Sequence, residues 1–108
     1  MVTNNAYKVT MFFPLRNNND EEYGLEVWDW WQERITTILV GFTDLGQVKG
    51  WWFGHSDENR WIVAVVKSEQ EVEVLREFLE MAATKKYFDQ EKMYLDYHPT
   101  CYEEISRA

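Results

Sequence analysis

Two short stretches gather the side chains that could do chemistry. The first, Gly54-His55-Ser56-Asp57-Glu58-Asn59-Arg60, sets an imidazole, a hydroxyl, two carboxylates and a guanidinium side by side. These are the groups of general acid–base and nucleophilic catalysis. That chemistry needs a nucleophile, a base and an orienting group converging in space, which neighbours along a hairpin loop rarely do. Gly, Ser, Asp and Asn are also the residues that form turns. His55, Asp57, Glu58 and Arg60 are therefore loop candidates, and no catalytic residue is assigned. The second stretch, His98-Pro99-Thr100-Cys101, offers one imidazole and one thiol. A zinc site needs further His or Cys ligands, so no metal is implied. The glycines between Gly41 and Gly54 form neither a phosphate-cradling loop nor a dinucleotide fingerprint, and no cofactor is implied.

Aromatic residues are the other resource. They make up 17% of the chain, with six Trp, six Tyr and six Phe. Trp51, Trp52 and Trp61 could form a platform for a base, a sugar or another flat ligand, although core and interface packing use the same rings. The net charge of −8 opposes a phosphate backbone, and the basic–aromatic signature of an RNA-binding sheet is missing, so no direct nucleic-acid partner is expected. A basic protein partner would suit that charge. The single cysteine, Cys101, has no partner for an internal disulfide and fits a reducing compartment. No apolar run approaches the roughly 18 residues of a membrane span. No membrane partner is expected, and the expected location is cytoplasmic.

The elements that must position these groups follow from periodicity. Residues 1–6 are polar and expected to fray, as are 103–108. Tyr7, Val9, Met11 and Phe13 alternate as one face of a strand ended by Pro14. The segment Arg16-Asn17-Asn18-Asn19-Asp20-Glu21-Glu22 is a solvated loop, and its three Asn make it the best candidate for a mobile or functional one. From about Glu22 to Leu39, Trp28, Trp31, Ile35, Ile38 and Leu39 recur at helical spacing, with Gly41 as the stop. Trp30 lies off that stripe, placed to cap the core edge or to face a partner. Residues 42–46 are a turn. Residues 47–54 and 61–67 are the strands of a hairpin around the polar loop, and the second is apolar enough to be buried on both faces. Ser68 and Glu71 form a capping box for a helix carrying Val72, Leu75, Phe78, Leu79 and Ala82 on one face. Acids from Glu69 to Glu77 favour its first turns, and Lys85 and Lys86 its end. Residues 92–97 alternate as a last strand stopped by His98-Pro99.

The order strand–helix–strand–strand–helix–strand over one domain of 108 residues is an α+β class fold. It is the ferredoxin-like βαββαβ pattern, a four-stranded antiparallel sheet in the order 4-1-3-2 with both helices on one face. His55 and His98 then fall at opposite poles of the sheet. The other face presents Phe12, Tyr94 and one of two sets from the third strand, either Trp61, Val63 and Val65 or Ile62, Ala64 and Val66. The second strand adds Trp51 and Phe53, or Trp52. Apolar surface of this kind, left over by two helices, marks a binding face.

In element order and in this apolar outer face, the chain resembles the dimeric α+β barrel proteins, ferredoxin-like domains that pair sheet to sheet. The Gly50-Trp51-Trp52 run and Phe88-Asp89-Gln90-Glu91 are similar to features of uncharacterised bacterial families with this layout. The resemblance implies a homodimer through Phe12, Trp51, Trp52, Trp61 and Tyr94, with a cavity for a small apolar or aromatic ligand. A non-catalytic interaction protein is the leading expectation. The alternatives are an acidic inhibitor or adaptor of the phage anti-defence type, engaging a basic site through residues 69–80 and 20–22, and a small cofactor-independent barrel enzyme.

Overall fold

The computed structural model describes residues 4–52 and 55–107, and the side chains of these except at 4, 50–52 and 55–57. The elements run β1 (Asn4–Pro14), α1 (Leu25–Ile38), β2 (Thr43–Trp52), β3 (His55–Val66), α2 (Glu69–Ala82) and β4 (Tyr94–Tyr102). One antiparallel sheet joins the strands in the order β2-β3-β1-β4, which is the expected order read from the other edge. Fold class and topology thus match the periodicity of the sequence.

Register decides which side chains share a face, because residues paired across antiparallel strands point the same way. On the helix side, Val9 pairs with Ala64 and Met11 with Ile62. These four are buried together with Phe13 and Val66 from the strands, Val27, Trp31 and Ile35 from α1, and Val72, Leu75, Phe78, Leu79 and Ala82 from α2. Both helices therefore lie on one side of the sheet. Phe13 is fully buried where they meet, 5.5 Å from Trp31, 5.9 Å from Phe78 and 5.7 Å from Phe88 between ring centroids.

The helix α2 begins as its sequence requires. Ser68 Oγ accepts from the Glu71 amide, and the Glu71 carboxylate accepts in return from the Lys67 amide. Trp30 caps the core edge, its ring stacked on Tyr87 at 3.6 Å and on Phe78 at 5.5 Å.

Four boundaries differ from the sequence expectation. β1 begins at Asn4, inside the segment expected to fray, because Asn4, Asn5 and Ala6 pair with Tyr102, Cys101 and Thr100. β2 begins at Thr43 rather than after Gly46. Its register shifts between Asp44 and Gly46, where Gly46 at φ +71° supplies a left-handed backbone and donates its amide to Asp44 Oδ1. β4 starts two residues later than expected and continues through Pro99, which is tolerated because β4 is an edge strand. Finally, the polar segment expected as a hairpin loop is strand, since β3 starts at His55 and pairs with β2 out to His55–Trp52.

This last difference changes the shape of the molecule. β1 ends at Pro14, opposite Asn59, so the β2–β3 pairs from Lys49–Glu58 onward continue past it as a two-stranded ribbon. The molecule extends 52 × 30 × 25 Å.

Replacing Phe13 by Ala removes the ring shared by both helices and is expected to cost about 3–5 kcal/mol of folding stability. Urea unfolding checks this, and a loss under about 1 kcal/mol would mean that the site collapses around the deletion.

Candidate functional site

The side of the sheet opposite the helices is built by the same registers. Phe12 pairs with Trp61 on one flank and with Tyr94 on the other, so the three rings form one row across β3, β1 and β4. Their centroids are 4.6 Å (Phe12–Trp61) and 4.7 Å (Phe12–Tyr94) apart. Phe12 and Trp61 are half-buried, while Tyr94 at the end of the row is 44% exposed. Of the two sets open to β3, the outer one is Trp61, Val63 and Val65, because Ile62, Ala64 and Val66 are taken into the core. Val65 is 47% exposed. The rest of the face is mixed. Thr10 and Asp96 lie beside Val63, and Lys8 and His98 beside Val65.

At the Pro14 end, the face opens into a groove of about 1130 Å³. Phe12, Tyr94 and Met93 line one part, the 16–20 loop another, and Lys49, Glu58 and Asn59 of the β2–β3 ribbon a third. Arg16, Lys49 and Lys92 all reach it, against Asp20 and Glu58. A chain of net charge −8 thus lines this groove, among the described residues, with three cations and two anions.

The 16–22 segment, the candidate mobile or functional loop, is held by local hydrogen bonds. Arg16 and Glu22 form a β-bridge. The Asn17 side chain accepts from the amides of Asn19 and Glu21, both at 2.9 Å, and its backbone amide donates to Glu21 O. Asp20 at φ +60° closes the turn, a conformation that Asp tolerates better than most residues. Asn18 Nδ2 donates to Asp89 O, and Gln90 Nε2 donates to Tyr23 Oη and Phe88 O. Tyr23 in turn donates to Phe88 O at 2.7 Å. Partial burial raises the Tyr23 pKa, the Gln90 hydrogen bond opposing it. Phe88, fully buried, anchors this network to the core.

The structure separates the residues singled out from sequence. Phe12, Trp61 and Tyr94 come together. Trp51 and Trp52 pair with Ser56 and His55 in the backbone ladder, and their side chains, with those of His55 and Asp57, lie outside the described residues. Glu58 reaches the groove. Arg60 instead turns to the helix side, where it forms an ion pair with Asp44 through Nε (2.8 Å) and Nη2 (2.6 Å). Its guanidinium lies 4.3 Å from the Trp31 ring and 5.3 Å from that of Trp28. Arg60 is therefore a clamp between β2, β3 and α1. His98 sits on the exposed face of β4, beside Lys8. His55 begins β3 and lies about ten residues away along the strand direction, on the order of 30 Å, toward the opposite end of the sheet.

Among the described residues, no group of three His, Cys, Asp or Glu could hold a metal ion, and no polar or charged residue is buried. Three of the five acids of α2 have local partners: Glu69 accepts from Tyr7 Oη at 2.9 Å, Glu71 caps the helix and Glu73 pairs with Arg76. No helix is long and apolar enough to cross a membrane. Sequence reasoning missed Arg16, Lys49, Lys92 and Gln90 as groove residues, although the triple Asn did mark the loop. Comparison with protein-family models, with curated proteins and with solved structures finds no match for this chain.

The hydrogen bonds from Arg60 hold the Asp44 carboxyl below its ordinary pKa, with partial burial opposing and the Gly46 amide helping. A carboxyl lowered in the folded state adds stability above its unfolded value of about 3.9, and that stability is lost as pH falls through the folded value. Asp44→Asn is expected to cost about 0.5–1 kcal/mol at pH 7. Unfolding midpoints taken from pH 7 to 2.5 (about the span of the titration) should converge for the two proteins at the acid end, and a constant gap would contradict this assignment.

Proposed function

We propose that this chain is a non-catalytic binding protein that pairs with a second copy of itself through the open sheet face. The observation that supports this reading is the row Tyr94–Phe12–Trp61, continued along β3 by Val63 and Val65 on a face that neither helix covers. Burying apolar surface contributes about 25 cal/mol per Å². A sheet face meets that need by stacking on another sheet at about 10 Å.

The polar surround fits a copy of the same face. A two-fold interface presents one patch to itself, so each group must find its complement within that patch. Lys8 and Asp96 lie in adjacent rows of the outer face, and a two-fold relation can set Lys8 of one copy against Asp96 of the other. Pairing centred on Val63 and Val65 leaves the groove at the Pro14 end beside the interface. Such a dimer has the sheet-to-sheet form of the dimeric α+β barrel proteins.

Multi-angle light scattering tests the proposal. The wild-type chain is expected near twice 13.1 kDa, and Val65→Glu near the mass of one chain with an unchanged circular-dichroism spectrum. A wild-type monomer, or a Val65→Glu variant that stays paired, would rule out this interface.

A further inference from the structure

We infer that His98 makes the pairing of two copies pH-dependent: with its imidazole neutral the open faces fit together, and protonation drives them apart. The inference rests on the sheet-to-sheet pairing proposed above and names how that interface is regulated.

Three ionisable side chains stand in the part of the face built around Val63 and Val65. Lys8 is paired with Val65 on one side and with His98 on the other, which makes one row across β3, β1 and β4. Asp96 lies in the next row, beside Thr10 and Val63. Lys8, Asp96 and His98 are all exposed, and none of the three has a side-chain hydrogen bond or an ion pair among the described residues. The other members of these rows, Thr10, Thr43, Val63 and Val65, carry no charge. Both helices lie on the opposite side of the sheet and bring no charge to this face. Beyond the row of His98, the next charged residues among those described are Lys67 after β3 and Glu103 after β4.

With His98 neutral, Lys8 and Asp96 cancel and the patch has no net charge. With His98 protonated, each copy brings a net positive charge to an interface that excludes water. Like charges are least tolerated where solvent cannot screen them. Position sharpens the effect. His98 shares the row of Lys8 and the strand of Asp96, so it stands at the corner between them. Strands lie about 4.8 Å apart, and alternate residues about 6.8 Å apart along a strand. On that grid, the two-fold axis that sets Lys8 of one copy against Asp96 of the other passes within about 2 Å of His98. The imidazoles of the two copies then face each other. Neutral rings can share a hydrogen bond, one nitrogen donating and the other accepting, whereas two imidazolium rings have donors only. In the single chain, a protonated His98 also has Asp96 on its own strand as a counter-charge, which competes with Lys8 of the other copy. Histidine is the side chain whose charge ordinarily changes between about pH 5 and 8. Pairing therefore releases protons: it is at full strength above the range in which the unpaired imidazole titrates, and it weakens as pH falls through that range.

The test is sedimentation equilibrium of the full-length chain at about pH 8 and about pH 5.5, on either side of the histidine range. The wild-type dissociation constant is expected to rise about tenfold or more at the lower pH, about threefold or more for each of the two imidazoles. His98→Gln cannot take up the proton and should pair equally well at both pH values. His98→Lys carries a fixed positive charge and should pair about tenfold more weakly than wild type at the higher pH. His55→Gln should keep the wild-type response, and circular-dichroism spectra should not change with pH. A wild-type constant that moves by less than about threefold, a response that follows His55 rather than His98, wild-type pairing in His98→Lys, or unfolding of the wild type at the lower pH would each overturn the inference and leave the pairing standing. A wild-type chain that is a monomer at the higher pH would overturn the pairing itself, and the inference with it.

Discussion

Burial of Phe13 between both helices and the 83–93 connector is the contact from which the rest of the architecture follows. A strand alternates, so sending Phe13, Met11 and Val9 toward the helices sends Phe12, Thr10 and Lys8 the other way. The ladder then carries that parity to β3 and β4. The core and the exposed aromatic row are two consequences of one choice of face. A slip of one residue in β1 would put Phe12, Thr10 and Lys8 against the helices and take Phe13, Met11 and Val9 out of the core.

The groove draws on the same anchor. Phe88 sits in the aromatic core, and its carbonyl accepts from Tyr23 and Gln90, which in turn fix the wall next to Asn18. The polar wall of the groove is thereby tied through one residue to the buried core. Binding surfaces on loops ordinarily trade precision for mobility, and a buried ring two positions from a groove residue reduces that trade. The opposite wall is the β2–β3 ribbon, which exists because β3 starts at His55 and runs past the end of β1.

Much of this was legible along the chain because it depends on local period and local chemistry. The capping box at Ser68, the apolar stripe of α2 and the alternation of Tyr7 to Phe13 each carry their own signal, and each appears where it was expected. Polar strand residues were less legible. Ser56, Asp57, Glu58 and Asn59 have turn composition, yet they pair with β2 because a long ladder supplies backbone partners whatever the side chains prefer. Pro99 has the same lesson from the other direction, since its effect on a strand depends on whether a neighbour needs its missing amide. Arg60 looked like a loop base and became a structural clamp, which follows from its parity with Ile62 once the segment is strand.

The amino-acid order by itself determined the kinds of element, their sequence and hence the topology, because hydrophobic period and capping are properties of neighbours along the chain. It also determined that apolar sheet surface would exceed what two helices cover. Only the folded structure decided which set of β3 residues faces outward, that Phe12, Trp61 and Tyr94 share a row, and that Arg16, Lys49 and Lys92 converge on one groove. Those facts depend on register between strands and on where a loop returns, and both are set by contacts between residues far apart in sequence.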